Sequence, residues 1–191
     1  MAIALTTRRI MIAVMLVLSA AACQTQDRHP EPRFVSDARP AFEVNESRYF
    51  IEFRSRYALS YGHSYVIFGR EGAAGEMIDP EVAGLAPATA STTPYVLGHF
   101  LPVPAETGAS DGDLEEEYRS ASWRVMLTEA QYKKTVAHIR QLKAKSRFWQ
   151  ASIYNCNAFV ADIARSMGYK APSIWLRPQQ FITKLREMNV G

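Results

Sequence analysis

Apolar and polar residues alternate along the middle of the chain, a pattern typical of strands that bury one face. This alternation predicts five strands, at residues 49–53, 61–69, 75–79, 94–101 and 122–127. In the second strand, His63 and Tyr65 share one face and Ser64 lies on the other. The segment between the last two strands carries the acidic run Asp113 to Glu117, and we interpret it as an exposed, solvated loop.

The last third of the chain changes to apolar residues spaced three and four apart, which predicts three helices. The first follows Thr128, with Gln131 placed three residues on as its capping-box partner. The second begins at Cys156 and ends at Gly168. The third begins with Pro178 at its first position. Strands followed by helices predict an α+β domain over residues 45–191, with an antiparallel sheet packed against helices.

The N-terminal segment has the features of a bacterial export signal over residues 1–22. Arg8 and Arg9 precede an apolar run from Ile10 to Leu18, and small residues then lead directly to Cys23. This ending resembles a lipobox and predicts lipidation of Cys23; cleavage after Ala22 without lipidation is the alternative. Residues 23–44 are rich in proline and polar residues, which indicates a lipid-anchored tether, part of which can be ordered.

Charge and residue composition argue against nucleic-acid binding and against a metal site. The chain has 22 basic and 19 acidic residues, so without Arg8 and Arg9 it is close to neutral and carries no charge signature for nucleic acid. The two cysteines and four histidines show no metal-ligand spacing, and we expect no metal and no cofactor. With Cys23 acylated, Cys156 has no disulfide partner in an oxidising compartment.

Cys156 is the first candidate for chemistry. It opens the apolar stripe of its helix, and a helix N-terminus stabilises a thiolate. This placement suits a nucleophile and predicts a thiol pKa below the free value of about 8.5. The alternative is that Cys156 is a small buried apolar residue, as most free cysteines are.

A thiol nucleophile needs a base, and His63 is the preferred histidine. His29 lies in the tether. His138 lies in the middle of a helix, two residues from the apolar position Val136, and we interpret it as a surface or structurally satisfied histidine. The remaining candidates are His63 and His99. His63 occupies a mid-strand position where an apolar residue is expected. A half-buried structural histidine is the alternative reading of the same position.

Two motifs together resemble a known superfamily. The stretch Asn155–Val160 resembles the Asn-Cys-x-x-Phe-Val signature of lecithin–retinol acyltransferase-like and permuted NlpC-type hydrolases, and His63–Gly69 is similar to their histidine strand. The histidine strand precedes the cysteine helix, which is the order of the permuted branch. The resemblance covers roughly residues 45 to 175. It implies a permuted papain-like domain and a third polar residue on the strand after the histidine.

Two acids on that next strand are candidates for the third residue. If Gly69 pairs with Gly75, Asp79 falls opposite Tyr65 and shares the face of His63, whereas Glu76 lies on the other face near the turn. We prefer Asp79, although a slip of one residue would reverse the faces. A turn residue is the other interpretation of Asp79, and His99 is the alternative orienting group.

The expected activity is therefore that of an extracytoplasmic thiol hydrolase acting on amide bonds, with cell-wall peptides as the expected substrates. Cys156 attacks, His63 transfers the proton and Asp79 orients His63, while the Cys156 backbone N–H contributes to the oxyanion hole. The predicted substrate contacts are Tyr65, Tyr154 and Asn155. Two alternatives stay open: an acyl-ester or lipid substrate, and a non-catalytic envelope lipoprotein that binds a peptide or protein partner.

Overall fold

The computed structural model describes residues 28–35, 48–58, 61–89 and 91–190 of the chain. The predicted signal peptide, Cys23 and most of the tether lie outside these residues. The described strands are β1 Arg33–Val35, β2 Arg48–Arg56, β3 His63–Glu71, β4 Met77–Gly84, β5 Ala86–Pro87, β6 Val103–Glu106, β7 Arg119–Leu127 and β8 Phe148–Trp149. The described helices are α1 Thr93–Leu97, α2 Glu129–Lys145, α3 Cys156–Ser166 and α4 Pro178–Val190.

Five strands form the main sheet in the order β1-β7-β2-β3-β4, and β5, β6 and β8 form a small second sheet. The expectation of an antiparallel sheet is only partly correct, because β1 runs parallel to β7. β1 lies in the segment that the sequence assigns to the tether, and the Glu31 amide donates to the Ser120 carbonyl at 2.7 Å beside it. The fold is thus mixed α/β, built on a mixed sheet.

Both faces of the main sheet are buried, but the apolar cluster on one face is much larger than the cluster on the other. One face contributes alternate residues such as Phe53, Val66 and Trp123 to the large core, which also contains Phe159 of α3 and Phe181 of α4. The opposite face carries a smaller apolar cluster of Phe50, Tyr65, Ile67, Val82 and Met126. Because side chains alternate along a strand, Ser64 and His63 belong to opposite faces of β3.

The predicted start of α2 is confirmed with its capping box. The Thr128 hydroxyl accepts from the Gln131 amide at 3.3 Å, and the Gln131 side chain accepts from the Thr128 amide at 2.9 Å. These reciprocal bonds satisfy amides that have no partner inside the helix. The predicted first residues of α3 and α4, Cys156 and Pro178, are also confirmed.

The predicted strand at residues 94–101 is wrong. Its first half is the short helix α1, with Pro94 in the first turn, and the Gly98 amide donates to the Pro94 carbonyl at 2.9 Å. The amide groups of a helix's first turn have no partner inside the helix, so the missing N–H of proline costs no hydrogen bond at that position, and the fixed φ of proline suits a helix start. Local backbone chemistry therefore outweighs the apolar pattern.

The predicted register between β3 and β4 is also wrong. Tyr65 pairs with Gly84, and Arg70 pairs with Ile78 across an irregularity that follows Phe68. Asp79 adopts a φ of +46° at this irregularity. The hairpin turn lies two residues later than predicted, because Glu71 pairs with Met77 where Gly69 was expected to pair with Gly75. This alone would place Ala83 opposite Tyr65, and the extra residue of the bulge moves the partner of Tyr65 on to Gly84.

Candidate active site

The N-terminus of α3 is held by Asn155. Its Oδ1 accepts from the Ala158 amide at 3.0 Å, and its Nδ2 donates to the carbonyls of Ala151 at 2.8 Å and Ile174 at 3.1 Å. All of its side-chain bonds are therefore internal, and the residue is buried. Asn155 is a helix cap whose side-chain hydrogen bonds all go to the backbone, and its contact with substrate stays a prediction.

Asn157, which the sequence motif contains but to which we assigned no role, joins three segments of the site. Its Oδ1 accepts from the Ser64 hydroxyl at 2.7 Å, and its Nδ2 donates to the carbonyls of Ile174 at 3.1 Å and Leu176 at 2.7 Å. The side chain has no exposed surface. Asn157 therefore fixes β3 and the loop before α4 against the start of α3.

The Cys156 thiol lies against β3 and is 4% exposed. Burial raises the pKa of this thiol, while hydrogen bonds from the Ser64 hydroxyl and amide and from the first amides of α3 act in the opposite direction. The predicted depression of the pKa is wrong, because desolvation of the thiolate outweighs the helix N-terminus.

His63, at the first position of β3, is also buried. Its ring stacks on Tyr65 with 5.5 Å between centroids, and a Cβ built on Gly84 would lie 2.8 Å from its Nε2. Burial lowers the pKa of His63 to about 4, Asp113 raises it and Arg56 lowers it further. At neutral pH the ring is therefore uncharged and able to accept a proton.

The thiol and the imidazole are both neutral in this arrangement. Neither residue is among the causes of the other's pKa shift, so the described residues do not show a thiolate–imidazolium pair. Among the described residues no hydrogen bond joins the His63 ring to Cys156 Sγ. The two are linked through Ser64, which follows His63 in the chain and whose hydroxyl donates to Asn157 Oδ1.

Asp113 is the buried carboxylate whose charge acts on His63, and sequence reasoning missed it. Arg56 Nε donates to its Oδ1 at 2.6 Å, and the Ser110 amide donates to its Oδ2 at 2.7 Å. Its carbonyl accepts from the Tyr65 hydroxyl at 2.6 Å. The first residue of the acidic run is therefore internal, in contrast to the predicted solvated loop. The Ser-x-x-Asp spacing from Ser110, which is that of a local side-chain-to-amide cap, was the available signal.

Asp79, the preferred orienting residue, is not brought to His63. Its carboxylate is 83% exposed and pairs with Arg70 at 2.9 Å. Arg70 lies seven residues along β3 from His63, a separation of about 23 Å in a strand. Glu76 accepts from the Ala74 amide at 3.0 Å in the hairpin turn, where we expected it. His99 is exposed, and its Nδ1 bonds the Tyr95 carbonyl at 2.9 Å.

The two tyrosines predicted to contact substrate differ in exposure: Tyr65 is fully buried and Tyr154 is half-buried. Tyr65 has no exposed surface and its hydroxyl donates to the Asp113 carbonyl, so its contact with substrate stays a prediction. Tyr154 is half-buried, with its hydroxyl 3.1 Å from Ser146 Oγ. It lines an open cavity of about 320 Å³, so its contact with a ligand stays a prediction; the other lining residues are Leu142, Lys145, Ser146, Arg147 and Phe148.

Two further tyrosines flank the thiol, and the sequence did not single them out as site residues. Burial raises the pKa of Tyr61 and of Tyr95, and a Cys156 thiolate would raise both further through its charge. The Tyr61 hydroxyl donates to the Leu176 carbonyl at 3.5 Å. Tyr61 precedes β3 and Tyr95 belongs to α1, so the charge of a Cys156 thiolate would be felt in both elements.

Comparison with protein-family models, curated proteins and solved structures finds no match for this chain. Among the residues that the structure describes, no group of acidic, histidine or cysteine side chains could hold a metal ion. None of the described helices is long and apolar enough to cross a membrane. The fold and site thus define a mixed α/β domain with a buried helix-start thiol and, on the adjoining strand, a buried neutral histidine.

Proposed function

We propose that this protein is a thiol hydrolase of the cell envelope that cleaves amide bonds, with Cys156 as nucleophile and His63 as base. The observation that carries the proposal is the position of Cys156 at the buried start of α3, which the 2.7 Å hydrogen bond from the Ser64 hydroxyl to Asn157 Oδ1 holds against β3, next in the chain to a neutral, buried His63. In the proposed permuted papain-like arrangement, the histidine strand precedes the cysteine helix.

The proposed reaction is acyl transfer in two steps. As Sγ of Cys156 bonds to the carbonyl carbon, its proton passes to His63, which then gives it to the leaving amine as the carbon–nitrogen bond breaks. Water then attacks the thioester, releasing a carboxylic acid and restoring the thiol. The α3 amides that hydrogen-bond the sulfur also point to where the oxyanion develops.

The buried state of the thiol shapes this mechanism. Because the thiol pKa is raised and the His63 pKa is about 4, proton transfer accompanies attack and no ion pair exists beforehand. Cell-wall peptides are the proposed substrates because of the predicted export signal and lipid anchor.

A second candidate is a non-catalytic envelope lipoprotein that binds a peptide or protein partner. The observation that favours it is the 4% exposure of Cys156 together with its raised pKa, which is the usual state of an inert buried cysteine. In that case Ser64 and Asn157 serve only to fix α3 on the sheet.

A thiol-reactive activity probe separates the two candidates. For the hydrolase we expect labelling of Cys156 in the folded protein and its loss in His63→Ala. His99→Ala is the matched control, since His99 is exposed and bonds only a backbone carbonyl and should leave labelling intact. Labelling seen only after denaturation, or equal in both histidine variants, would support the binding protein. Mass spectrometry of peptides released from purified peptidoglycan then tests the substrate class.

A further inference from the structure

A cluster of large apolar side chains faces solvent at the end of the fold that carries Cys156. Phe100 is 76% exposed, Ile153 75% and Trp175 74%. Contiguous exposed apolar surface on this scale marks an interaction site. We call the cluster the apolar rim; its members are Val96, Leu97, Phe100, Leu101, Ile153 and Trp175.

Hydrogen bonds join the loops of the apolar rim into one surface. The Ala151 amide donates to the Gly98 carbonyl at 2.9 Å, which ties the end of α1 to the loop that carries Ile153. Trp175 Nε1 donates to the Ser152 carbonyl at 2.9 Å, which ties in the loop before α4. Asn155, which caps α3, bonds this same region through Ala151, so the rim surrounds the approach to the thiol.

The described chain also begins at this end of the fold. The Gln179 side chain, in the first turn of α4, donates to the His29 carbonyl at 2.9 Å, and Gln179 follows Trp175 by only four residues. Cys23 precedes Arg28 by five residues, which can span at most about 18 Å. A lipid on Cys23 would hold the apolar rim within reach of the bilayer surface.

We propose that the apolar rim is a membrane-docking surface that inserts into the interface of the bilayer carrying the lipid anchor. The inference rests on the proposed lipidation of Cys23. Tryptophan and phenylalanine are favoured at the bilayer interface, where apolar side chains meet headgroups. Arg28 lies in the tether, where it can pair with anionic headgroups. Docking would present the Cys156 site to the membrane surface.

Trp175 is a built-in probe of this docking. The other two tryptophans of the chain, Trp123 and Trp149, are buried at 1% and 8% exposure. The full lipidated protein, reconstituted in phosphatidylethanolamine–phosphatidylglycerol vesicles with brominated acyl chains, should show quenched tryptophan emission. In Trp175→Phe this quenching should be lost. Equal quenching in both proteins, or none in either, would overturn the proposal.

Matched variants test the surface as a whole. Leu97 lies in the apolar rim at 45% exposure, and Leu114 lies outside it at 46%. Leu97→Ser combined with Phe100→Ser should reduce the quenching of Trp175, whereas Leu114→Ser should leave it unchanged. The anchor keeps every variant at the membrane, so the readout reports docking alone. Unchanged thermal unfolding of the variants shows that the loss is not misfolding.

The competing occupants give different results. If a second copy of the chain covers the rim, sedimentation in detergent shows a dimer that Leu97→Ser dissociates, and bromine quenching is absent; this outcome overturns membrane docking. An intact mass showing unmodified Cys23 removes the premise and likewise overturns the proposal. Failure of the thiol chemistry is separate, because Cys156 labelling is lost in that case while the quenching of Trp175 persists.

Discussion

Acid should destabilise this protein through His63, and the effect can be isolated. Burial lowers the pKa of His63 from 6.5 to about 4, so the unfolded chain binds this proton more readily than the folded chain. A group buried in its neutral form contributes stability that is fully present above pH 6.5 and is lost as the pH falls towards 4. The perturbation is a shift from pH 7 to pH 4.5.

The size of the effect follows from the two pKa values. At pH 4.5 the unfolded imidazole is almost fully protonated, whereas only about a quarter of the folded protein carries the proton. The difference in proton binding between the two states then corresponds to a loss of about 2.5 kcal/mol in the free energy of unfolding relative to pH 7. This is a large share of the stability of a domain of this size.

Urea denaturation at several pH values measures this loss. The free energy of unfolding of the wild type should fall between pH 7 and 4.5 by about 2.5 kcal/mol more than that of His63→Gln, which has no imidazole to protonate. His99→Gln is the control, because His99 is exposed, and it should follow the wild type. Parallel curves for the wild type and His63→Gln would refute the argument that His63 is buried and neutral.

Three further predictions concern the thiol, its supports and the corrected third residue. The alkylation rate of Cys156 should rise with pH to a midpoint above the ordinary cysteine value, and Ser64→Ala should move that midpoint higher because a hydrogen bond to the thiolate is lost. Asn157→Ala should lower stability by about 2 kcal/mol in thermal or urea unfolding, since the buried Ser64 hydroxyl and the Leu176 carbonyl lose their partner while the Ile174 carbonyl keeps Asn155, whereas the more exposed Asn189→Ala should cost less. Asp79→Ala should change turnover and stability little, because its ion pair with Arg70 is exposed; a large loss of turnover would return Asp79 to the site.

The parts of the fold that local patterns control could be predicted from the sequence. Alternation identified β2, β3 and β7, the capping box at Thr128 set the start of α2, and the apolar stripe from Cys156 set the start of α3, because these signals depend on neighbouring residues. The strand predicted at 94–101 failed where Pro94 in a helical first turn outweighed the apolar pattern. The register of β4 failed because the hairpin turn lies two residues later than predicted and a bulge then shifts the pairing by one more residue.

Some features of the candidate site could likewise be predicted from local sequence, whereas others depend on the packed fold. Cys156 and His63 were identifiable from their positions in a helix and a strand, whereas their pKa values depend on burial that only the packed fold provides. Asp113 was missed because its partners, Arg56 and the Tyr65 hydroxyl, come from strands about fifty residues away. A run of acids is usually solvated, and nothing local shows that its first member is buried.

Asp113 is consequently the carboxylate to test in place of Asp79. It is the only charge that raises the pKa of His63 among the causes acting on that ring, and it is held by Arg56 and Ser110. Asp113→Asn removes the charge with little change of shape. The pKa of His63, followed by the NMR shift of its ring protons, should then fall below about 4.

The same substitution should also lower turnover, because His63 becomes a weaker base for the Cys156 proton. It leaves Arg56 without its carboxylate partner and should lower the free energy of unfolding by about 3 kcal/mol. The titration separates the two effects, since a purely structural role would change stability and leave the pKa of His63 in place. If the His63 titration does not move while turnover falls, Asp113 supports the sheet and does not tune the base.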